Sequence, residues 1–404
     1  MTDGILSGLR VIEWGDLVSG PWAARQLADM GADVIKVETP GTGDTARRVG
    51  PFPGNIPHPE TSGLYLYLNI NKRGITLDLT KAEGRHILQE LVSGADVLVE
   101  NHPPQVVEDL GLSYSALQAQ NPRLIMVSIS PFGQTGPYRD YIGSELVLFH
   151  MGGIGYETPL NEVTDLERQR PLKGPGYQAY FAGGWLAATC AMVALFHREI
   201  TGEGQHVDIS EHEAIASTER PKIAQYTYSD EVFSREGNGI PRFKPCKDGY
   251  FAGLNVQRDD IRWGRTVSLM GNPEWAQEEM CATPESRRDN TDVIEALIMS
   301  WMMDYTKEEL FSMGQDAGLG VFPLNTVEDV YSTEQYRYRG FFQEVEHPVA
   351  GIHEYPGIPY KLSDLQPTIQ NRAPLLGEHN AEVICQELKR TPQELVRLYQ
   401  AGVL

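Results

Sequence analysis

The sequence predicts an α/β fold built on an open, mostly parallel sheet. Short apolar runs alternate with helix-forming segments from the start of the chain to about residue 215, an alternation typical of βαβ units. The first unit is the clearest, because predicted buried strands at 9–14 and 33–38 flank a helical pattern. Pro21 suits the first turn of that helix, which is predicted over 21–31.

The same alternation continues along the chain. Thr80 and Glu83 have the spacing of a capping box ahead of a helix. The loop at 40–48 contains glycines, but it lacks the complete dinucleotide or P-loop spacing and is predicted to be a plain turn. The other predicted elements are strands over 74–79, 95–101, 123–130 and 206–210, and helices over 82–94, 104–109, 113–119 and from Glu211 onward.

The pattern changes near residue 225, and a length of 404 residues already favours more than one domain. A glycine-containing strand region at 248–256 followed by polar helices predicts a small α+β domain over 225–335. The large domain is assigned to 1–224, and 336–404 is predicted to return to it. Predicted elements here are helices over 273–279, 292–302, 306–317, 378–388 and 392–400, with short strands within 340–362.

Composition excludes several classes of function. Asp and Glu total 55 against 34 Lys and Arg, a formal net charge of −21. A non-specific surface for nucleic acid or anionic membrane is therefore not expected, and an anionic ligand would need a local basic pocket. The four cysteines are scattered with no CxxC pair, which favours reduced, packed thiols over a zinc site or a disulfide framework. No metal site is predicted.

Two segments bear on cellular location. The N-terminal MTDGILSGLR has neither the basic start nor the apolar run of a secretory signal. Residues 174–196 carry no formal charge over nearly a membrane-spanning length, but four glycines and Pro175 lie among them. We expect a loop followed by a buried helix there, and a cytoplasmic protein.

Several segments together resemble one known family. In their order and spacing they are similar to the class III acyl-CoA transferases, of the formyl-CoA transferase and carnitine CoA-transferase type, from Leu9 to about Leu388. The segments are GLRVIEW at 8–14, GPWAARQLADMGADVIKVE at 20–38, NKRGITLDL at 71–79, ADVLVENHPP at 95–104, NPRLIMVSISPFGQTGPY at 121–138, TGEGQHVDIS at 201–210 and APLLGEHNAEV at 373–383.

The resemblance implies a Rossmann-like large domain, a small domain, and two protomers interlocked like rings in an obligate dimer. It also implies a chemistry in which an aspartate attacks an acyl-CoA thioester, forms a mixed anhydride and accepts CoA as an aspartyl thioester. CoA then passes to the acceptor acid. This chemistry needs a carboxylate, because only an acyl-forming group can carry CoA as a thioester. Acyl-CoA is a substrate here, and no permanently bound cofactor is expected.

The position that corresponds to the aspartate is occupied by Tyr180. The alignment rests on Gly202, Gly204 and Gln205 and on the helix start at Gly184, and small shifts do not change it, because no Asp or Glu lies between Glu167 and Glu199. A phenol with a pKa near ~10 is mostly protonated at neutral pH and cannot form the thioester intermediate. Tyr180 is therefore no chemical substitute for aspartate.

The implied CoA site is also incomplete. Two arginines that the family uses for CoA phosphates correspond to Thr39 and Pro103, whereas Asn71, Lys72, Arg73 and Asn101 match the family pattern. These four residues are the candidates for CoA binding. The alternative for Lys72 and Arg73 is that they are solvated surface cations at a strand entry.

Glu145 is the candidate for a substitute base or nucleophile, since family members often have an acidic residue there. The alternative is a hydrogen-bonded structural carboxylate. The racemase branch of the family has a GHD-like segment where this chain has Gly143, Ser144 and Glu145, so racemase chemistry is not expected. Ser210, Glu211 and His212 adjoin in sequence, which disfavours a triad, and no catalysis is assigned to them.

Three functions follow as hypotheses. The first is the non-nucleophilic subunit of a heteromeric class III CoA-transferase of the succinyl-CoA:(R)-benzylsuccinate type, in which a homologous partner supplies the aspartate. That assembly would exchange CoA between succinyl-CoA and an organic dicarboxylic acid, aromatic acids included. The second is a homodimeric transferase or isomerase that uses another group, such as Glu145. The third is an acyl-CoA-binding protein without turnover.

Overall fold

The computed structural model of the protein describes residues 4–159, 163–237, 242–255, 259–364 and 369–404. They form two compact units, which are described separately. The first unit lies within Met1–Tyr156, Leu172–Phe233 and Arg337–Leu404, and the second comprises Glu157–Pro171 and Ser234–Tyr336.

The first unit contains a six-stranded parallel sheet in the order β3-β2-β1-β4-β5-β6. This is the doubly wound, Rossmann-type order. Successive strands are added to one side of β1 up to β3 and to its other side from β4 onward, so the strand order reverses between β1 and β4. The predicted fold class is confirmed. The strands of the sheet are β1 Arg10–Trp14, β2 Asp33–Glu38, β3 Arg73–Thr76, β4 Val97–Glu100, β5 Ile125–Ser130 and β6 His206–Ser210.

Helices cover both faces of this sheet, and a two-stranded antiparallel ribbon, β10 Phe342–His347 with β11 Gly351–Pro356, follows later in the chain. The return segment ends in a π-helical turn at Glu382–Glu387 and a final helix. The helices that begin in the first unit are α1 Ser19–Asp29, α2 Gly63–Leu68, α3 Ala82–Ser93, α4 Pro104–Asp109, α5 Tyr114–Gln118, α6 Glu145–Met151, α7 Ile154–Glu157, α8 Gln178–Thr201, α9 Glu211–Ala216, α10 Arg220–Ser229 and α17 Pro392–Gln400.

Strand alternation divides the apolar residues of the sheet between two cores. Ile12, Ile35 and Leu98 face the core under α3 and the C-terminal helix. Val11 and Val34, one position earlier, face the core under α1 and α8. Because side chains alternate across a strand, consecutive apolar residues fill both faces, as a parallel sheet covered on both sides requires.

Helix α8 lies against α1 with little space between the two backbones. A Cβ at Gly184 would come within 2.7 Å of the Ser19 carbonyl oxygen, so only glycine permits this approach. Small buried residues, including Ala187 and Ala191, continue the contact along the same face. By length and composition alone α8 could cross a membrane, but this buried face makes it a core helix of the first unit.

A cluster of charged residues is buried within the first unit. The Glu13 carboxylate accepts hydrogen bonds from the ammonium groups of Lys36, at 2.8 Å, and Lys72, at 2.7 Å. Lys36 also pairs with Asp44 at 2.7 Å. All four side chains are essentially inaccessible to solvent. Such charges are tolerated inside a protein only when they are paired and hydrogen-bonded.

The second unit is built on a three-stranded antiparallel sheet, β7 Lys244–Cys246, β8 Gly249–Ala252 and β9 Phe322–Pro323. Its core includes Phe251, Trp263 and Ile298. The helices that begin in it are α11 Asp260–Leu269, α12 Pro284–Asp289, α13 Thr291–Met302, α14 Lys307–Asp316, α15 Val327–Ser332 and α16 Glu334–Tyr338.

Several local predictions need correction. Segment 157–171 lies in the second unit instead of the large domain, because Val163 bridges to Glu236 and the Arg235 guanidinium donates to the carbonyls of Leu166 and Gln169. The predicted capping box at Thr80 is wrong, since the Thr80 hydroxyl donates to Asp78 and Lys81 is the N-cap of α3. The helix predicted at 273–279 is a short 3-10 turn, and residue 256 of the predicted strand region lies outside the described residues.

Candidate active site

Asn101 follows β4 and lies where the strand order of the sheet reverses, between β1 and β4. Its side-chain carbonyl accepts the Asp16 N–H at 2.7 Å, and its amide donates to the Asp16 carbonyl at 2.8 Å and to the Ser19 hydroxyl at 3.0 Å. A Cβ at Gly20 would lie 3.1 Å from the Asn101 side chain. Asn101 thereby fixes the loop between β1 and α1 at the carboxyl edge of the sheet, where doubly wound folds bind ligands.

A cavity of about 250 Å³ opens at this edge. Its lining includes Asp16, Ser19, Asn101, Pro103, Tyr180 and Glu211. The described lining residues include two acidic side chains and neither Lys nor Arg. Burial raises the pKa of Asp16, and the neighbouring Asp44 raises it further. A carboxylate ligand would therefore need cationic partners from outside the described lining of this cavity.

Tyr180 lies in the first turn of α8 and stacks on Tyr177, with ring centroids 6.0 Å apart. Burial raises the pKa of its phenol to about 12, and the nearby Glu211 carboxyl contributes to the increase. At neutral pH the side chain is a neutral hydrogen-bonding group. The structure thus places a phenol in the cavity. Its correspondence to the family's aspartate stays a prediction.

Glu145 begins α6 and caps the start of α8. Its carboxylate accepts hydrogen bonds from the Ala179 N–H, at 3.1 and 3.2 Å, and from the Tyr180 N–H at 3.2 Å. The Lys173 ammonium lies 3.3 Å away. Helix N-termini carry unpaired N–H groups and a partial positive charge, so this position stabilises the helix. Use of Glu145 as a nucleophile stays a prediction, and these contacts do not favour it.

Glu211 is the cavity residue that sequence reasoning missed. It begins α9 and is only 3% exposed. The Ser19 hydroxyl, which accepts from the Asn101 amide, favours the ionised form of this carboxyl and so opposes the increase in the pKa of Glu211. A Cβ at Gly183 would lie 3.0 Å from the Glu211 Cγ, so this glycine leaves room for the side chain. Burial raises the pKa of Glu211 to about 7, and the Glu145 charge adds to the shift.

Asn71 and Arg73 lie at the opposite, amino end of the strands. Asn71 donates to Asp29 at 2.8 Å and accepts the N–H groups of Gln370 and Asn371 at 2.8 and 2.9 Å. Arg73 pairs with Asp33 at 2.7 Å. These contacts tie the return segment and the strand starts together. A direct role for either residue in CoA binding stays a prediction.

Lys72 is buried instead of solvated, which excludes the alternative of a surface cation for this residue. Its ammonium donates to Glu13, to the Pro21 carbonyl at 2.8 Å and to Asn69 at 2.9 Å. Burial lowers its pKa to about 8, and the Lys36 charge opposes the stabilising effect of Glu13. All three donor directions are used within the fold, so any contribution of Lys72 to CoA binding is indirect.

A second cavity, of about 370 Å³, adjoins the first at the same edge of the sheet. Thr39, one of the two positions without the family's arginine, lines it together with Gly43 and Arg48. Pro103, the other such position, lines the cavity of Tyr180. Asp16 and His102 line both cavities. An extended ligand can therefore lie across this edge, with little basic charge to hold phosphates.

His102 lines both cavities and stays neutral. Its ring packs against Trp14 at a tilt of 32°, with a centroid distance of 4.0 Å. Burial lowers its pKa to about 4, and the Lys36 charge contributes to the decrease. Within the described part of the chain, no group of three or more His, Cys, Asp or Glu converges as metal ligands would.

The fold and site define a class: a doubly wound α/β enzyme with a ligand-sized cavity at the switch point of its sheet. The chain belongs to CoA-transferase family III, whose sequence profile matches residues 6–380. The resemblance drawn from the motifs is thus confirmed, and the protein is a CoA-transferase by family.

Individual relatives agree with this assignment. The chain is 33% identical over 394 residues to the succinyl-CoA:(R)-benzylsuccinate CoA-transferase subunit BbsE of Thauera aromatica, covering 94% of this chain and 93% of that protein. It is 31% identical to the succinyl-CoA–L-malate CoA-transferase alpha subunit of Chloroflexus aurantiacus, covering 99% and 92%. A crystal structure of a CaiB/BaiF family protein from Brucella suis superposes with a TM-score of 0.81 at 30% identity, covering 95% and 100%.

Proposed function

We propose that this chain is the non-nucleophilic subunit of a two-subunit, succinyl-CoA-dependent CoA-transferase. The observation that carries the proposal is the neutral Tyr180 phenol in the cavity, at the position that corresponds to the family's aspartate. Two relatives named as subunits of succinyl-CoA-dependent enzymes support a heteromeric assembly. The acceptor would be an organic dicarboxylic acid, aromatic acids included, and the location cytoplasmic.

The proposed reaction uses a carboxylate from a homologous partner. The partner's aspartate attacks the succinyl thioester carbonyl, which breaks the C–S bond and releases CoA thiolate as a mixed anhydride forms. The thiolate attacks the aspartyl carbonyl, and succinate leaves. The acceptor carboxylate then attacks the aspartyl thioester carbonyl, which breaks the C–S bond and gives a second mixed anhydride and CoA thiolate. The thiolate attacks the acceptor carbonyl of this anhydride, and the aspartate carboxylate leaves. This chain would contribute the scaffold and part of the acyl-CoA site, with Asn101 holding its edge.

An unpartnered apolar face supports the presence of a protein partner. On the outer side of α8, Val193 is 63%, Phe196 71% and Ile200 72% exposed. Their spacing places them on one face of the helix. Large side chains exposed together in this way are typical of interaction surfaces. A homologous subunit interlocked with this chain is the occupant we propose.

Glu211 favours a second candidate function, a homodimeric transferase that needs no second kind of subunit. It is a carboxylate in the cavity itself, so a glutamyl thioester could take the place of the aspartyl one. Its 3% exposure counts against ready attack. Glu145 remains the other carboxylate for this candidate, with the helix-capping contacts described above.

One experiment separates these candidates. The purified chain is incubated with succinyl-CoA and a panel of carboxylic acids, alone and with a homologous subunit encoded beside it, and new CoA thioesters are measured by mass spectrometry. Exchange only in the mixture supports the two-subunit enzyme. Exchange by the chain alone refutes it, and Glu145→Gln and Glu211→Gln then identify the carboxylate. Binding without exchange in either sample indicates an acyl-CoA-binding protein.

A further inference from the structure

The loop that follows β5 exposes an apolar patch beside the cavity. We define the aromatic rim as Tyr138, Tyr141 and Ile142. Tyr141 is 60% and Ile142 95% exposed. Exposing such side chains together is unfavourable in water, and a patch of this kind next to a cavity is typical of a ligand-binding edge.

The aromatic rim is ordered by its own contacts. Tyr138 and Tyr141 stack with centroids 4.9 Å apart, and the Tyr141 N–H donates to the Tyr138 carbonyl at 2.9 Å. Phe132 meets both rings edge-on. Rigid aromatic side chains lose little conformational entropy when they bind a ligand, so this arrangement is preorganised for an apolar group.

The rim belongs to a loop whose two ends line the cavity. Phe132 belongs to the same apolar cluster as Tyr180. Pro131 and Gly143, at the two ends of the loop, both line the cavity. A Cβ at Gly143 would lie 2.3 Å from the Pro131 Cβ, so glycine allows the loop to fold back on itself. The loop therefore forms one wall of the cavity and carries the rim on its outer side.

We infer that the aromatic rim binds the hydrocarbon part of the acyl group carried on CoA, so that the chain prefers thioesters of aromatic or branched acids to those of short acids. The inference rests on the proposed function for the identity of the ligand class. Its own support is the position of the rim, on the loop whose two ends line the cavity, and the stacking that orders its rings.

Binding measurements on the intact chain test this inference. Calorimetry with benzoyl-CoA and acetyl-CoA is compared for the natural chain and for the double substitution Tyr141→Ser, Ile142→Ser. We expect the natural chain to bind benzoyl-CoA about tenfold more tightly, the factor given by burial of roughly one aromatic edge. The double variant should lose this preference and keep its affinity for acetyl-CoA. Tyr141→Leu, which preserves an apolar surface, should retain most of the preference.

Ile56→Ser is the matched control, since Ile56 is an exposed apolar side chain, at 71%, that lies outside the loop between Pro131 and Gly143. An unchanged preference in the double variant overturns the inference, as does equal weakening of both thioesters. Lost association with another subunit at unchanged ligand preference would assign the rim to a protein interface, which also overturns it. If the natural chain binds neither thioester, the inference fails, while exchange in the mixture with a partner still decides the proposed function.

Discussion

Replacement of Glu145 by glutamine distinguishes a helix cap from a nucleophile. The carboxylate accepts three N–H contacts from the first turn of α8, and glutamine keeps a carbonyl acceptor while it removes the charge. Capping and charge at a helix N-terminus are each worth about 1 kcal/mol. We therefore expect Glu145→Gln to weaken the first turn by about 1 kcal/mol and Glu145→Ala by about 2 kcal/mol.

Amide hydrogen exchange measures this effect locally, which suits a chain of two units whose global unfolding need not be two-state. Exchange at Ala179 and Tyr180 should be about fivefold faster in Glu145→Gln, since 1.4 kcal/mol corresponds to tenfold. Glu199→Gln, at the exposed last turn of the same helix, is the control and should leave these amides unchanged. CoA exchange in the mixture should persist in Glu145→Gln. If Glu145→Gln abolishes CoA transfer while amide hydrogen exchange at Ala179 and Tyr180 stays unaltered, the capping role is refuted and Glu145 is identified as a nucleophile.

Three further predictions concern the buried charges and the cavity. Glu13→Gln leaves the buried Lys72 ammonium without its carboxylate and should lower the free energy of unfolding in urea by about 3–5 kcal/mol. As the control, Glu108→Gln breaks the exposed pair with Arg139 and should change the free energy of unfolding by less than about 1 kcal/mol. The folded-state pKa of Glu211 is raised from 4.5 to about 7, so the folded state favours the protonated carboxyl. The contribution of Glu211 to the stability of the folded state is therefore fully present below pH 4.5 and is lost as pH rises through 7. Glu211→Gln should therefore have a higher urea midpoint than the natural chain at pH 8 and an equal one at pH 4, and an equal midpoint at both would contradict this. Tyr180→Asp should give weak CoA exchange by the chain alone and stronger exchange when combined with Glu211→Leu; no gain in either variant would point to the arginines missing at Thr39 and Pro103.

The sheet was predictable because its strands carry their own signal. Residues 9–14, 33–38, 123–130 and 206–210 are short segments rich in Val and Ile, and the structure places strands within each. A parallel sheet covered on both faces needs such runs, so pattern and structure agree. The capping box at Thr80 failed because Asp78, two residues earlier, competes for the same hydroxyl. Whether a short motif of this kind forms depends on competing hydrogen bonds from neighbouring residues, which the spacing of the motif does not include.

The site was predictable only in part. Tyr180 and Asn101 were found because each stands where a family residue is expected, and the structure places both in the lining of one cavity. Glu211 was set aside on sequence adjacency to Ser210 and His212. The signal that could have found it was its position directly after β6, since the carboxyl ends of parallel strands converge on the ligand edge of the sheet. Lys72 was predicted to bind CoA, with a solvated cation as the alternative, because a sequence gives no sign of the buried Glu13 carboxylate that pairs with it.

Tyr180 and Glu211 are best understood as one coupled feature. Two carboxylates in a cavity whose described lining has no Lys or Arg would repel each other, and one would hold a proton near neutral pH. The Glu145 carboxylate at the start of α8 would strengthen that repulsion. An aspartate at position 180 would thus be a poor nucleophile while Glu211 remains, because the nucleophile must be ionised. A neutral phenol beside Glu211 avoids this conflict.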